Sequence, residues 1–209
     1  MLAKIQDFIN SLLGRNMAPK PSVSQPLFAI NNAMVEQEAR LGVQPTGFAA
    51  LAFRNVESSM FGRLEKEIQE LVKLGAETTG TRVEVVKDEY NYLWLLMYDS
   101  DFEDLIATMH LASSTLEEHD FGRTLLAAAF QFKGEQGAFF WLYNFKRGLF
   151  YPFAPRPNRT REQTLEMRLK SMMADYLPLE TDSSRWYPLW DIPGDPEAAK
   201  KQLGKGNTE

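Results

Sequence analysis

The sequence predicts an α+β domain in which an antiparallel sheet carries helices mainly on one of its faces. Short apolar runs with alternating side chains indicate strands, and longer segments with apolar residues every three or four positions indicate helices. Their order, strand, helix, strand, strand, helix, strand, is that of a ferredoxin-like (split βαβ) core. Two further apolar runs, residues 138–145 and 149–153, extend the sheet by extra strands. At 209 residues the chain is long enough for one sizeable core.

The first 26 residues are a predicted appendage to this domain. Five apolar residues at helical spacing indicate a short amphipathic helix that binds a membrane or a partner helix: Leu2, Ile5, Phe8, Ile9 and Leu12. Residues 15–26 contain three prolines and no apolar periodicity. We therefore expect residues 1–26 to be a helix plus a proline-rich linker, residues 27–194 a single α+β domain, and residues 195–209 a flexible tail.

Local start and stop signals place the first elements of the domain. Gly42 ends a helix over residues 28–41, and a strand follows over residues 48–53. The next predicted helix has one apolar face, made of Phe61, Leu64, Ile68, Leu71 and Val72. Residues 82–86 and 90–98 predict two strands that are joined by turn-favouring residues.

The second half of the domain is predicted in the same way. Asp101 is the expected N-cap of a helix that ends at Gly122. A strand over residues 125–132 and a turn over residues 134–137 precede the two extension strands. Thr160 and Gln163 have the spacing of a capping box, which predicts the start of a last helix.

Composition and motifs argue against an enzyme. The chain has no cysteine, which excludes disulfides, a thiol nucleophile and thiolate metal sites. His119 lies beside Glu117 and Glu118, but consecutive helical residues point in different directions, so the group does not predict a metal site. The acids between Asp99 and Asp104 are explained by helix capping and the helix dipole. No glycine-rich phosphate loop is present. We expect no catalytic residue, no metal and no cofactor.

The most informative stretch is residues 139–156, in which aromatic residues surround a Lys-Arg-Gly turn. The formal net charge is −5, yet residues 146–170 carry seven Lys or Arg against two Glu. Aromatic residues also alternate along three predicted strands, giving more aromatic area than helices on one face require. The pattern predicts a partner-binding surface made of Lys146, Arg147, Tyr151, Phe153, Arg156, Arg185 and Trp186. The alternative is that the rings are core, packed beneath terminal segments that carry Trp186, Tyr187 and Trp190.

Five blocks of sequence stand out in order along the chain: Pro45-Thr-Gly-Phe, Asp88-Glu-Tyr-Asn-Tyr-Leu-Trp94, Leu116-Glu-Glu-His-Asp-Phe-Gly122, Lys146-Arg-Gly-Leu-Phe-Tyr-Pro-Phe-Ala-Pro155 and Leu177-Pro-Leu-Glu-Thr-Asp-Ser-Ser-Arg-Trp-Tyr-Pro188. From about Leu27 to Gly194, the chain resembles the PspA-associated protein PspAB family in these blocks. The resemblance implies a small cytoplasmic protein of bacteria or archaea. It also implies a link to the phage-shock type of envelope stress response, in which PspA coats damaged inner membrane. It carries over no catalytic residue.

Three classes of function remain open. The first is a non-catalytic adaptor that binds a PspA-like protein through the aromatic and basic surface. The second is peripheral binding to an anionic membrane surface, at the inner face of the membrane, through the N-terminal helix. The third is a small-molecule carrier or an undescribed enzyme that uses the aromatic sheet face. The acidic net charge argues against nucleic acid, and the lack of a signal peptide or membrane span predicts a cytoplasmic protein.

Overall fold

The computed structural model describes residues 25–56 and 79–197, together with Gly62, Lys66 and Glu70. Three α-helices lie in these ranges: α1 (Ala29–Leu41), α2 (Phe102–Glu118) and α3 (Gln163–Met173). Short 3-10 helices lie at Gln25–Phe28, Gly122–Thr124, Pro157–Arg159 and Ser183–Arg185.

Six strands form one antiparallel sheet: β1 (Gln44–Arg54), β2 (Arg82–Lys87), β3 (Tyr92–Tyr98), β4 (Leu125–Gly134), β5 (Gly137–Asn144) and β6 (Leu149–Phe153). Their order across the sheet is β2-β3-β1-β4-β5-β6, so β5 and β6 extend it as expected. A two-stranded sheet of β7 (Pro155–Arg156) and β8 (Thr160–Arg161) follows. The predicted α+β class, with an antiparallel sheet extended by extra strands, is confirmed.

The first four strands pair in the order that a split βαβ unit has, with β1 between β3 and β4. Between β1 and β2, the described residues Gly62, Lys66 and Glu70 are helical and exposed. The predicted apolar face of that helix, from Phe61 to Val72, lies outside the described residues. The ferredoxin-like core and the domain boundaries therefore stay predictions, as does the helix over residues 2–12, which also lies outside the described part.

The three helices pack on one face of the sheet, where they share a single apolar cluster with the strands. Two of the predicted termini are confirmed: Asp101 accepts a hydrogen bond from the Glu103 backbone nitrogen at 2.8 Å, and Gly42 ends α1 in the left-handed conformation. The predicted capping box is wrong. The Thr160 hydroxyl donates to the Pro157 carbonyl within the β7–β8 hairpin, and α3 begins at Gln163 without a side-chain cap.

The other face of the sheet carries a second apolar cluster, and the C-terminal segment, residues 178–195, covers it. This segment first closes the edge of the sheet, because the Phe150 nitrogen donates to the Pro178 carbonyl and the Glu180 nitrogen donates to the Phe150 carbonyl, both at 2.8 Å. It then crosses the second face, on which it places Trp186, Leu189, Trp190 and Ile192. Three alanines of β1 and β4 contribute to this cluster, Ala50, Ala52 and Ala129.

A glycine ends this crossing. Gly194 has a φ of 70° and lies against Tyr98, whose hydroxyl donates to the Gly194 carbonyl at 3.2 Å. A Cβ at this position would overlap the Tyr98 hydroxyl and lie 2.7 Å from Leu96 Cδ1. Only glycine combines the left-handed backbone with this close approach.

A buried ion pair joins β6, α3 and the C-terminal segment. Glu166 is almost fully buried and accepts hydrogen bonds from the Ala154 nitrogen at 2.8 Å and from Arg161 Nε at 3.0 Å. Arg161 also donates to the Trp186 carbonyl at 2.8 Å and lies over the Phe153 ring, 5.3 Å from its centroid. One guanidinium thus connects three separate parts of the chain.

Candidate functional site

The Lys-Arg-Gly turn connects β5 to β6 at one end of the sheet. The Asn144 carbonyl accepts hydrogen bonds from the Arg147 nitrogen at 3.1 Å and the Gly148 nitrogen at 2.8 Å. Gly148 has a φ of 68°, which a glycine adopts without steric cost. Lys146 and Arg147 are exposed. The turn therefore places Lys146 and Arg147 at the surface on a well-defined backbone.

Arg147 also contacts the C-terminal segment. Its Nη1 lies 2.8 Å from Oε2 of Glu180, whose side chain is almost completely buried. Arg185 Nε lies 3.0 Å from Oδ2 of Asp182. Hydrogen bonds from the Ser184 hydroxyl and backbone lower the pKa of Asp182, and the positive charges of Arg185 and Arg147 add to this effect. The structure thus pairs Arg147 with Glu180 and Arg185 with Asp182, two carboxylates of the C-terminal segment. We call Lys146, Arg147 and Arg185 the basic platform.

The three aromatic residues of the predicted surface lie in the second core. Phe153 is fully buried, Tyr151 is 3% exposed and Trp186 is 4% exposed. Trp186 stacks on Tyr151 with ring centroids 6.4 Å apart and donates from Nε1 to the Glu180 carbonyl at 2.9 Å. This agrees with the alternative interpretation, in which the rings pack beneath the terminal segment. Their role in partner binding stays a prediction.

Arg156 lies at the opposite end of the sheet from the basic platform. Its guanidinium donates to the carbonyls of Gln136 at 2.7 Å and Ala138 at 3.3 Å, next to the β4–β5 turn. Glu162 lies 4.0 Å from its Nε. The structure therefore does not bring Arg156 together with Lys146 and Arg147, although all three belong to the same basic segment of the sequence.

Burial shifts the pKa of Tyr143, Tyr151 and His110 in the described part of the chain. Burial raises the pKa of Tyr143 to about 12 and also raises the pKa of Tyr151, so both phenols stay neutral at physiological pH. Burial lowers the pKa of His110, whose ring packs against Phe28 with centroids 4.8 Å apart. Among the described residues, no three His, Asp or Glu side chains are grouped to hold a metal ion.

A small cleft lies between α1, the β4–β5 turn and α3. Its apolar lining is Leu41, Val43, Phe139, Leu165 and Leu169, and its charged lining residues are Glu135 and Arg168. Its volume of about 80 Å³ is well below the several hundred Å³ of a typical small-molecule site. The cleft can admit a side chain or a few water molecules.

The sequence did not predict the buried ion pair of Arg161 and Glu166, because it showed these residues only as two of the charges in the segment 146–170. Their spacing of five residues across a helix start carries no recognisable signal, because the pairing depends on β6 and the C-terminal segment. It also missed the exposed tyrosines Tyr90 and Tyr187, which are 69% and 58% exposed. Alternation along a strand does not show which rings a later segment will cover.

The model of the PspAB family, described as PspA associated protein B, matches residues 6–194. The chain belongs to the PspAB family. The match includes the basic platform and all but the last residue of the C-terminal segment, and it begins earlier than the resemblance from Leu27 indicated. No curated protein matches the chain. Within the described residues, no helix has both the length and the apolar character that a bilayer crossing requires.

Proposed function

We propose that this protein is a non-catalytic adaptor that binds a PspA-like protein in the envelope stress response. The observation that carries the proposal is membership of a family described as PspA associated. Among the described residues no three His, Asp or Glu side chains are grouped to hold a metal ion, which is consistent with a binding role. Co-purification of the tagged protein from its native cells, followed by mass spectrometry, tests the proposal directly. Enrichment of a PspA-like protein is the expected result.

The basic platform is the proposed contact site for this partner. Arg147 and Arg185 are held against the carboxylates of Glu180 and Asp182, so they lose little further side-chain entropy on binding. Exposed cations of this kind steer an acidic partner and raise the association rate. Arginine is also among the residue types that are enriched in protein interfaces.

Charge reversal at Lys146 is expected to weaken binding of the PspA-like protein roughly tenfold at low salt, mostly through the association rate. Lys146 is the cleanest position to change, because it is exposed, whereas reversal of Arg147 would leave the buried Glu180 unpaired. Titration calorimetry of Lys146→Glu at two salt concentrations measures the effect. Arg168→Glu makes the same charge change on the exposed face of α3 and is the control. Equal affinity of wild type and Lys146→Glu would reject the basic platform as the contact site.

A second candidate function is peripheral binding to anionic membrane. It is supported by the apolar stripe from Leu2 to Leu12, most of which the family match includes. Sedimentation with vesicles of anionic and of neutral lipid, for the full chain and for a variant that lacks residues 1–26, separates the two functions. Binding that needs anionic lipid and residues 1–26 would favour the membrane.

A further inference from the structure

The small cleft between α1, the β4–β5 turn and α3 opens on the face of the sheet that carries the helices. Four of its apolar lining residues are at most 5% exposed: Val43, Phe139, Leu165 and Leu169. Leu41, the last residue of α1, is half-buried and forms the part of the lining nearest to solvent. The described residues thus leave an apolar recess of about 80 Å³, a size that suits one side chain.

The N-terminal segment has the chemistry that this recess requires. Residues 2–12 lie outside the described residues, and their sequence carries the apolar stripe from Leu2 to Leu12. Their only charged residues are Lys4 and Asp7, whereas helices that bind anionic membrane are rich in Lys and Arg on the polar face. The cleft likewise has one acid and one base among its lining residues, Glu135 and Arg168. The stripe therefore matches the cleft in apolar character and in charge.

The linker is long enough to bring the stripe to the cleft. The 3-10 helix Gln25–Phe28 directly precedes α1, and the cleft lies at the other end of α1. The 13 residues of α1 span about 20 Å. Residues 13–24 connect the stripe to Gln25, and 12 residues in extended conformation reach about 40 Å. The N-terminal segment can therefore turn back along α1 and place its stripe over the cleft.

We propose that residues 2–12 dock in this cleft as a helix, and that one of the central apolar side chains, Ile5, Phe8 or Ile9, fills the recess. The two charged residues of the helix then lie beside the two charged residues of the cleft. The family match, residues 6–194, includes the whole cleft and more than half of the stripe. The inference goes beyond the proposed adaptor function and does not depend on it.

Docking in the cleft opposes binding to a membrane. A stripe that is buried against Leu41 and Leu169 cannot also enter lipid, so only the undocked fraction is competent to bind it. A recess for one side chain gives weak binding by itself. The short linker raises the effective concentration of the stripe to the order of millimolar, which favours the docked state and still permits exchange. The cleft therefore restrains the second candidate function, peripheral binding to anionic membrane.

A single spin label detects docking in the full chain, because the chain has no cysteine of its own. Asn10→Cys carries the label beside the stripe. We expect selective broadening of the amide signals of residues 134–137 and 165–169, which line the cleft. The signals of the β2–β3 turn, at the opposite end of the sheet, should stay sharp. Mixing spin-labelled chain with isotope-labelled chain that lacks the spin label should give no broadening, because the docking is within one chain.

Two lysine substitutions on α1 form a matched pair for the cleft. Leu41→Lys places an ammonium group in the recess and is expected to abolish the broadening. Val35→Lys makes the same change at a 61% exposed position of the same helix and should leave the broadening intact. Because docking withholds the stripe from lipid, Leu41→Lys is expected to bind anionic vesicles roughly tenfold more tightly than Val35→Lys in a sedimentation assay.

A double substitution in the stripe, Ile5→Asp with Ile9→Asp, changes no residue of the domain and should also abolish the broadening. Broadening that survives this change, or that is confined to residues 25–28, would overturn docking in the cleft. Broadening in the mixed sample would overturn it in favour of a second copy of the chain as the occupant. Equal vesicle binding by the two lysine variants would overturn the restraint on membrane binding. None of these measurements contains the PspA-like protein, so they leave the proposed function to its own test.

Discussion

Replacing Glu166 by alanine is expected to lower the free energy of unfolding by about 3–5 kcal/mol. The substitution removes the carboxylate that accepts from Arg161 Nε and from the Ala154 nitrogen, both in a part-buried or buried environment. It leaves a cation and a backbone donor without their partner, which costs more than the pair itself contributes. Urea denaturation followed by tryptophan fluorescence measures the loss.

Two variants make this result interpretable. Glu166→Gln keeps an oxygen acceptor for the Ala154 nitrogen and is expected to be destabilised less than Glu166→Ala. Asp191→Asn removes a pair between side chains that are 66% and 72% exposed, while asparagine tolerates the left-handed backbone, so a change within about 0.5 kcal/mol is expected. If Glu166→Ala were no more destabilised than Asp191→Asn, the ion pair would not hold the three segments together.

Replacing Trp186 by alanine is expected to lower the free energy of unfolding by a similar amount, about 3–5 kcal/mol. The indole is 4% exposed, stacks on Tyr151, and donates to the Glu180 carbonyl, so its removal leaves a cavity and an unpaired buried carbonyl. The C-terminal segment should loosen first. Hydrogen exchange of the Glu180 amide, which donates to the Phe150 carbonyl, reports this loosening separately from global unfolding.

The neighbouring residue provides the matched control for Trp186. Tyr187 is 58% exposed, and Tyr187→Ala keeps the backbone carbonyl that accepts from the Tyr151 hydroxyl at 2.9 Å. Its free energy of unfolding is expected to change by about 0.5 kcal/mol or less. A Trp186→Ala protein as stable as Tyr187→Ala would contradict the assignment of Trp186 to the core.

Several elements could be predicted from sequence because their signals are local. Asp101 and Gly42 act through their own backbone and the adjacent turn of helix, so residue type alone predicts them. The capping box at Thr160 failed for a physical reason. Thr160 lies in β8 and α3 has Glu162 at its N-cap position, so the Thr160 hydroxyl stands two residues too early to accept from the first turn of the helix. It donates instead to the Pro157 carbonyl of a hairpin that the spacing of residues does not reveal.

The candidate site was harder to predict, because it depends on what covers the second face of the sheet. Alternation along β5 and β6 correctly predicted which aromatic rings share a face of the sheet. It did not predict that both faces are covered and that the rings on each are therefore buried. Arg147 and Arg156 are nine residues apart in one basic segment, yet β6 carries them to opposite ends of the sheet. Local sequence therefore predicted a basic region but not which of its members share a surface.

By itself the sequence determined the α+β class, the caps at Gly42 and Asp101, the absence of cysteine chemistry and membership of the PspAB family. These properties depend on residue type, spacing and local backbone energetics. Only the tertiary structure decided that Trp186 is core, that Glu166 and Arg161 join three segments, and that Arg156 lies at the opposite end of the sheet from the basic platform. Such contacts join residues that are distant in sequence, and burial, which sets their energy, is a property of the whole packed chain.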